Sequence, residues 1–155
     1  MVLIKIVIHG GYTPWFYYPV WYVSQSISFW KKFLKEDPDV HIVLENVLET
    51  TPDLIVDILE GVNDPRFRLC MDVGHVNAYS YVPLMEWMET CGPWISHFHI
   101  HNNDGKQDQH CGLQDGTIPM EELLQKIECS YPEATVTLEV TEARSSVEWL
   151  LEADF

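Results

Sequence analysis

The stretch ISHFHIHNNDGKQDQHCGLQDGT, residues 95–117, decides how this chain is read. It opens as a strand. Ile95, Phe98 and Ile100 favour extended backbone, and the two-residue period sets His97, His99 and His101 on one face. Three imidazoles on one side of a strand are a poor filling for an apolar core. The strand then enters a loop rich in Asn, Asp and Gly that carries Asp108-Gln109-His110. Imidazole and carboxylate are donors that zinc, manganese and similar divalent ions accept. The stretch therefore reads as a metal-binding strand end with a ligand-bearing loop.

Other strands extend on either side of it. Val2 to Ile8 is an apolar run broken by Lys5 and ending in His9-Gly10-Gly11, the pattern of a strand buried on both faces. Val40 to Glu45 and Phe67 to Asp72 are strands that end on carboxylates, and Ala134 to Val140 is a strand with Glu139 near its end. Amphipathic segments lie between them. Ser24 to Glu36 places Ile27, Trp30, Phe33 and Leu34 opposite Lys31, Lys32 and Lys35. Thr51-Pro52-Asp53 opens a helix with a cap, a first-turn proline and an acidic residue, and Gly61 closes it. Helices are also predicted over 82–90, 117–129 and 145–153. Residues 12–22 form an aromatic loop in which Pro14 and Pro19 argue against a helix. Its rings, Trp15, Tyr17 and Trp21 among them, suit either a roof over a ligand pocket or a surface packed on a neighbour.

Strand and helix alternate five times, which implies an α/β fold with a parallel sheet and right-handed crossovers. Parallel strands bring their C-terminal ends to one edge. His9, Glu45, Asp72, His99 and Glu139 all fall at or near such ends. A buried carboxylate is costly unless paired or metal-bound. A ligand-type residue on every strand therefore marks that rim as the site.

Composition narrows the classes. The chain has 155 residues, 46% hydrophobic, and reads as one domain over 1–155. It has no apolar run long enough for a membrane span. The start, MVLIKIVIHGG, lacks a small-residue cleavage site and reads as a strand. Cys70, Cys91, Cys111 and Cys129 are widely spaced and read as free thiols in a reducing cytoplasm. The net charge is −15, with 9 Lys+Arg against 24 Asp+Glu, which argues against nucleic acid as a partner.

The segments IHGG (8–11), VLEN (43–46), CMDVGH (70–75), HIHNNDG (99–105), DQH (108–110) and LEV (138–140) together resemble the xylose isomerase-like TIM-barrel superfamily. That group includes sugar phosphate isomerases and epimerases and the endonuclease IV proteins. The resemblance covers nearly the whole chain and implies a partial TIM barrel of parallel βα repeats, matching the fourth to eighth strands of the family barrel. It implies a divalent metal (Mn, Zn, Mg or Co) held by Glu45, Asp72, His99 and Glu139. It also implies that Glu45 and Glu139 are the catalytic pair. His9, His75, Asp108 and His110 match positions that take a further metal or the substrate.

The implied function is isomerisation or epimerisation of a sugar or sugar phosphate by proton transfer α to a carbonyl. Two alternatives stand beside it. One is an endonuclease IV-like zinc phosphodiesterase acting on abasic DNA. The other is a metal-binding piece of barrel inactive alone. The chain departs from the family in two ways. Asn102 stands where the family usually carries Asp, and the first three strands of a barrel of roughly 250 residues have no counterpart here. Open sheet edges attract pairing, so a homodimer that covers them is expected.

Overall fold

The computed structural model describes residues 5–155, so Val2, Leu3 and Ile4 of the first predicted strand lie outside the described residues. The elements run β1 (Lys5–His9), α1 (Pro19–Glu36), β2 (His41–Glu45), α2 (Asp53–Val62), β3 (Phe67–Asp72), α3 (Val73–Tyr79), α4 (Leu84–Cys91), a 3-10 turn (Gly92–Trp94), β4 (Ile95–Ile100), α5 (Met120–Ser130), β5 (Thr135–Leu138) and α6 (Arg144–Glu152). The strands form one five-stranded sheet in the order β1-β2-β3-β4-β5, every pair parallel. The sheet curls into a half-barrel. On its concave face Lys5 Nζ donates to Ser96 O at 3.0 Å and lies 3.5 Å from Thr135 Oγ1, linking β1 to β4 and β5.

Alternation along each strand divides the two faces. Ile42 and Leu44, Leu69 and Met71, and Phe98 and Ile100 are buried in one core with Trp30, Leu34, Ile58, Leu59, Trp87 and Leu123 from the helices. The intervening positions, Glu45, Cys70, Asp72, His97 and His99, point into the half-barrel. Among the described residues no helix is long and apolar enough to cross a membrane.

Several sequence expectations are corrected. β1 is not buried on both faces: Lys5, Ile6 and His9 are exposed, because β1 is an end strand of the sheet. The aromatic loop is shorter than predicted, since α1 begins at Pro19. A proline in the first turn loses no hydrogen bond there, its missing N–H being an orphan donor anyway. Gly61 does not end α2. The helix ends at Val62, and Asn63 takes the left-handed cap conformation at φ 49°. Gly61 is needed inside the helix instead, because an added Cβ would clash with Ile27 Cδ1 of α1. α3 has no counterpart among the predicted helices. It has no apolar periodicity, and it starts because Asp72 accepts from His75 N at 2.7 Å and so caps it directly off β3.

Candidate metal centre

The sheet register builds the first cluster. His9 of β1 pairs with Glu45 of β2, and Asp72 of β3 with His99 of β4. A register shift between Leu69 and Cys70 aligns Cys70 with His97 and Asp72 with His99. Glu139 follows β5 and is tied to β4 by its N–H to Ile100 O at 3.0 Å. Ligand atoms of Glu45, Asp72, His99 and Glu139 all lie within 4.8 Å of one another. His99 Nδ1 is 3.1 Å from Glu139 Oε2, 3.3 Å from Glu45 Oε1 and 3.9 Å from Asp72 Oδ2. His9 Nε2 stands 3.4 Å from Glu45 Oε2.

Asp72 is fully buried and Glu45 nearly so, whereas the Glu139 side chain is 41% exposed at the mouth. Burial would lower the His99 pKa, yet the Glu45, Glu139 and Asp72 carboxylates outweigh it and raise it. Burial likewise works to raise Asp72, but the His101 hydrogen bond and the His75 ring pull it below the usual range. Asp72 Oδ2 and His99 Nδ1 are buried without an aligned hydrogen-bond partner. Buried polar atoms are ordinarily satisfied. Three carboxylates and an imidazole converging with two such atoms left open fit a divalent cation.

Asn46 locks this corner. Its Nδ2 donates to Asp72 O at 3.0 Å and its Oδ1 accepts from Asp72 N at 2.9 Å. Its own carbonyl lies 2.8 Å from His75 Nδ1. That contact leaves His75 Nε2 free to face a second cluster of His75, His101, Asp108 and His110. Asp108 Oδ2 is 3.2 Å from both His75 Nε2 and His110 Nε2, and Asp108 Oδ1 is 3.5 Å from His101 Nε2. His101 also contacts Asp72 Oδ1 at 3.1 Å, so the two clusters touch through one carboxylate. His110 is held by Nδ1 against Glu139 O at 2.8 Å. It adopts φ 49°, a left-handed backbone uncommon for a side-chain-bearing residue. His101 Nδ1 and Asp108 Oδ1 are buried without an aligned hydrogen-bond partner. Gly74 makes room here, since a Cβ would run into the His101 ring.

The loop that carries Asp108 and His110 is pinned by Asn102. Its backbone forms an antiparallel bridge with Cys111. Its Nδ2 donates to Leu113 O at 2.8 Å and Ile118 O at 3.1 Å, and its Oδ1 accepts from Ile118 N and Asn103 N, both at 3.0 Å. The residue that departs from the family pattern is thus an amide in a place that a carboxylate cannot serve, because only an amide donates to two carbonyls. Asn102→Asp is expected to destabilise the chain by about 2–3 kcal/mol, read as a drop in urea midpoint. An unchanged midpoint would refute that role.

Cys70 and His97 lie deeper, with His99, in a third group of ligand atoms. His97 is already satisfied: Nδ1 is 2.7 Å from Thr135 Oγ1 and Nε2 is 3.1 Å from Thr137 Oγ1. Burial, then the charges of His99 and Lys5, push the His97 pKa down to about 4. The unfolded chain takes up this proton near 6.5, so His97 costs stability as pH falls from 6.5 toward 4. Urea midpoints should show the advantage of wild type over His97→Asn shrinking between pH 7 and pH 4.5. Burial raises the Cys70 thiol, with Glu45, Asp72 and Glu139 adding to it. All four cysteines are free.

Of the remaining predicted residues, Tyr17 and Trp21 stack at 5.7 Å and line a groove of about 530 Å³ that reaches His9. Trp15 is 81% exposed and outside that groove. Sequence reasoning places His101 on the right face but gives it no role. Its place two residues after His99 is the signal that could have found it.

A family model described as xylose isomerase-like TIM barrel matches residues 2–153. Protein MJ1311 of Methanocaldococcus jannaschii is 28% identical over 153 residues, covering 92% of this chain and 52% of that protein. The chain therefore spans about half the length of this curated relative. The crystal structure of a D-tagatose 3-epimerase-like protein superposes with a TM-score of 0.82 at 25% identity, covering 96% of this chain and 61% of that one. The TTHB071 protein of Thermus thermophilus, soaked with ZnCl2, superposes at 0.74 with 22% identity, covering 96% and 60%.

Proposed function

Because this chain belongs to the xylose isomerase-like TIM barrel family, we propose that it is a divalent-metal-dependent sugar isomerase or epimerase, moving a proton α to a carbonyl. The observation that carries this reading is the convergence of Glu45, Asp72, His99 and Glu139 with two buried donor atoms left open. The likeness to a D-tagatose 3-epimerase-like protein supports the substrate class. Glu45, Asp72, His99 and Glu139 would hold the cation. When bound, it would supply Lewis-acid stabilisation of the charge that develops on the substrate carbonyl.

The chain's own groups do the rest. One of Glu45 and Glu139 takes the proton from the carbon next to the carbonyl at a carboxylate oxygen, and the other returns a proton. His9, beside Glu45 Oε2, orients that carboxylate. His99 orients Glu139 from 3.1 Å. His75, His101, Asp108 and His110 position the substrate hydroxyls or take a further cation, and Tyr17 and Trp21 wall the groove beside His9. The partners are a small sugar and a second copy of this chain. The test is solvent deuterium exchange into a panel of ketoses by the metal-loaded chain, followed by proton NMR. Exchange at the carbon next to the carbonyl is expected, and its absence with every ketose and metal overturns the reading.

The second cluster favours one further reading, a zinc phosphodiesterase acting on abasic DNA. The charge of −15 opposes it. Binding of abasic duplex DNA at modest salt decides, and failure below roughly micromolar affinity removes it.

A further inference from the structure

We propose that the cavity between α1 and α2 binds a small organic cation, an ammonium group on an apolar body, with the ammonium held at the buried carboxylate of Glu49. The cavity has a volume of about 540 Å³, within the range of small-molecule sites. It lies apart from the two ligand clusters. Its walls are the first half of α1, the loop that leads from β2 into α2, and the first turns of α2. Tyr12, Val23, Ile27 and Leu54 give it an apolar lining, and Glu49, Asp53 and Asp57 open on it.

Glu49 turns this hollow into a site. It is only 5% exposed, and Val47 N donates to its Oε2 at 2.7 Å. Burial raises its pKa, against the backbone amides of Val47 and Glu49 and the His75 ring, which lower it. A buried carboxylate is ordinarily paired with a cation. Among the described residues, the ion pairs of Lys and Arg go to Glu36, Asp64 and Glu148 instead.

Charge selects the occupant. Residues 6–30 and 36–65 contain every wall of the cavity and hold no lysine or arginine. Residues 36–65 hold nine acids. Lys31, one turn past Ile27, is the nearest cation along α1 and does not line the cavity, and Arg66 is engaged by Asp64. Asp53 and Asp57 are exposed, four residues apart on one face of α2, so they add to the same field. A cation would therefore find its countercharge at Glu49 and its apolar contacts on Val23, Ile27 and Leu54. Glu49 follows Glu45 by four residues, on the loop whose Asn46 holds Asp72. An occupant would steady the loop that leads out of Glu45, but its binding does not depend on a metal.

The test is titration of the metal-free 155-residue chain with phenethylammonium, followed by amide-resolved NMR. Saturable shifts at Val23, Thr50 and Leu54 are expected, with a dissociation constant below about 10 mM for a probe of this size. Phenethyl alcohol and phenylacetate should bind at least about 10-fold more weakly. Glu49→Gln should weaken the cation at least about 10-fold, since its amide oxygen can still accept from Val47 N but carries no charge. Ser24→Trp, at an exposed lining position, should block the cavity without changing any charge. Should Glu49→Gln fail to fold, the charged and neutral probes on wild type decide alone. Absence of saturable shifts overturns the proposal, and so does equal binding of the alcohol. Shifts at Ile100 and Glu139 in place of the cavity walls would put the ammonium in the first cluster and overturn it too, as would binding indifferent to either variant. Deuterium exchange into ketoses reads the clusters separately, so failure here and failure of the isomerase reading are told apart.

Discussion

Glu139→Gln should abolish proton exchange while leaving the fold intact. General-base catalysis contributes about 10²–10⁴ in rate, and a carboxamide is no base, so exchange should fall by that factor. Metal retention should weaken as well, because one of three carboxylates in the cluster is lost. The fold survives because the side chain is 41% exposed and what holds this position is backbone. Its N–H donates to Ile100 O and its carbonyl faces His110 Nδ1, and glutamine keeps both contacts. Glu121→Gln on the exposed face of α5 removes the same charge far from the site and should change neither exchange nor metal. Equal behaviour of the two variants would sink the site assignment.

Asp72→Asn separates metal binding from stability. Oδ1 caps α3 through His75 N and meets His101, and an asparagine oxygen can keep both contacts. Oδ2 is the buried oxygen without a partner, and it becomes an amide nitrogen that cannot ligate. In the metal-free protein the change removes a carboxylate that the His101 hydrogen bond and the His75 ring hold ionised, so the variant should melt somewhat below wild type, and the metal effect is read as the increment on adding metal to each. A metal at 100 times its dissociation constant stabilises by about 2.7 kcal/mol. That increment should appear as a higher melting temperature for wild type and be missing from the variant. A variant still stabilised by metal would exclude Asp72 from the ligand set.

The strands are readable because each is a compact apolar run ending on a polar residue. Phe67–Asp72 matches its sequence expectation to the residue, and the C-terminal carboxylates and imidazoles of neighbouring strands meet on one rim. Three kinds of feature are not readable. α3 needs no amphipathic stripe, because a strand-end carboxylate caps it. Gly61 imitates a helix stop, and only the Ile27 side chain from another helix explains it. His101 looks like one more inward residue of β4 until Gly74, on a different element, is seen to leave space for its ring. In each case the deciding atom belongs to a different element, which local periodicity cannot report.

The sheet's spatial order repeats its order along the chain. Each of β2 to β5 therefore finds a neighbour in the βα unit made just before it, and among the described residues none of these strands waits for a distant partner. Such a topology can grow as the nascent chain leaves the ribosome, each new unit docking on the last. The candidate metal centre follows a different schedule. Asp72 and His99 come with β3 and β4, but Glu139 follows β5. A chain still being synthesised therefore pairs β1 to β4 before Glu139 can join the candidate cluster, so in the proposed reading an ion would be held only once those strands are in place.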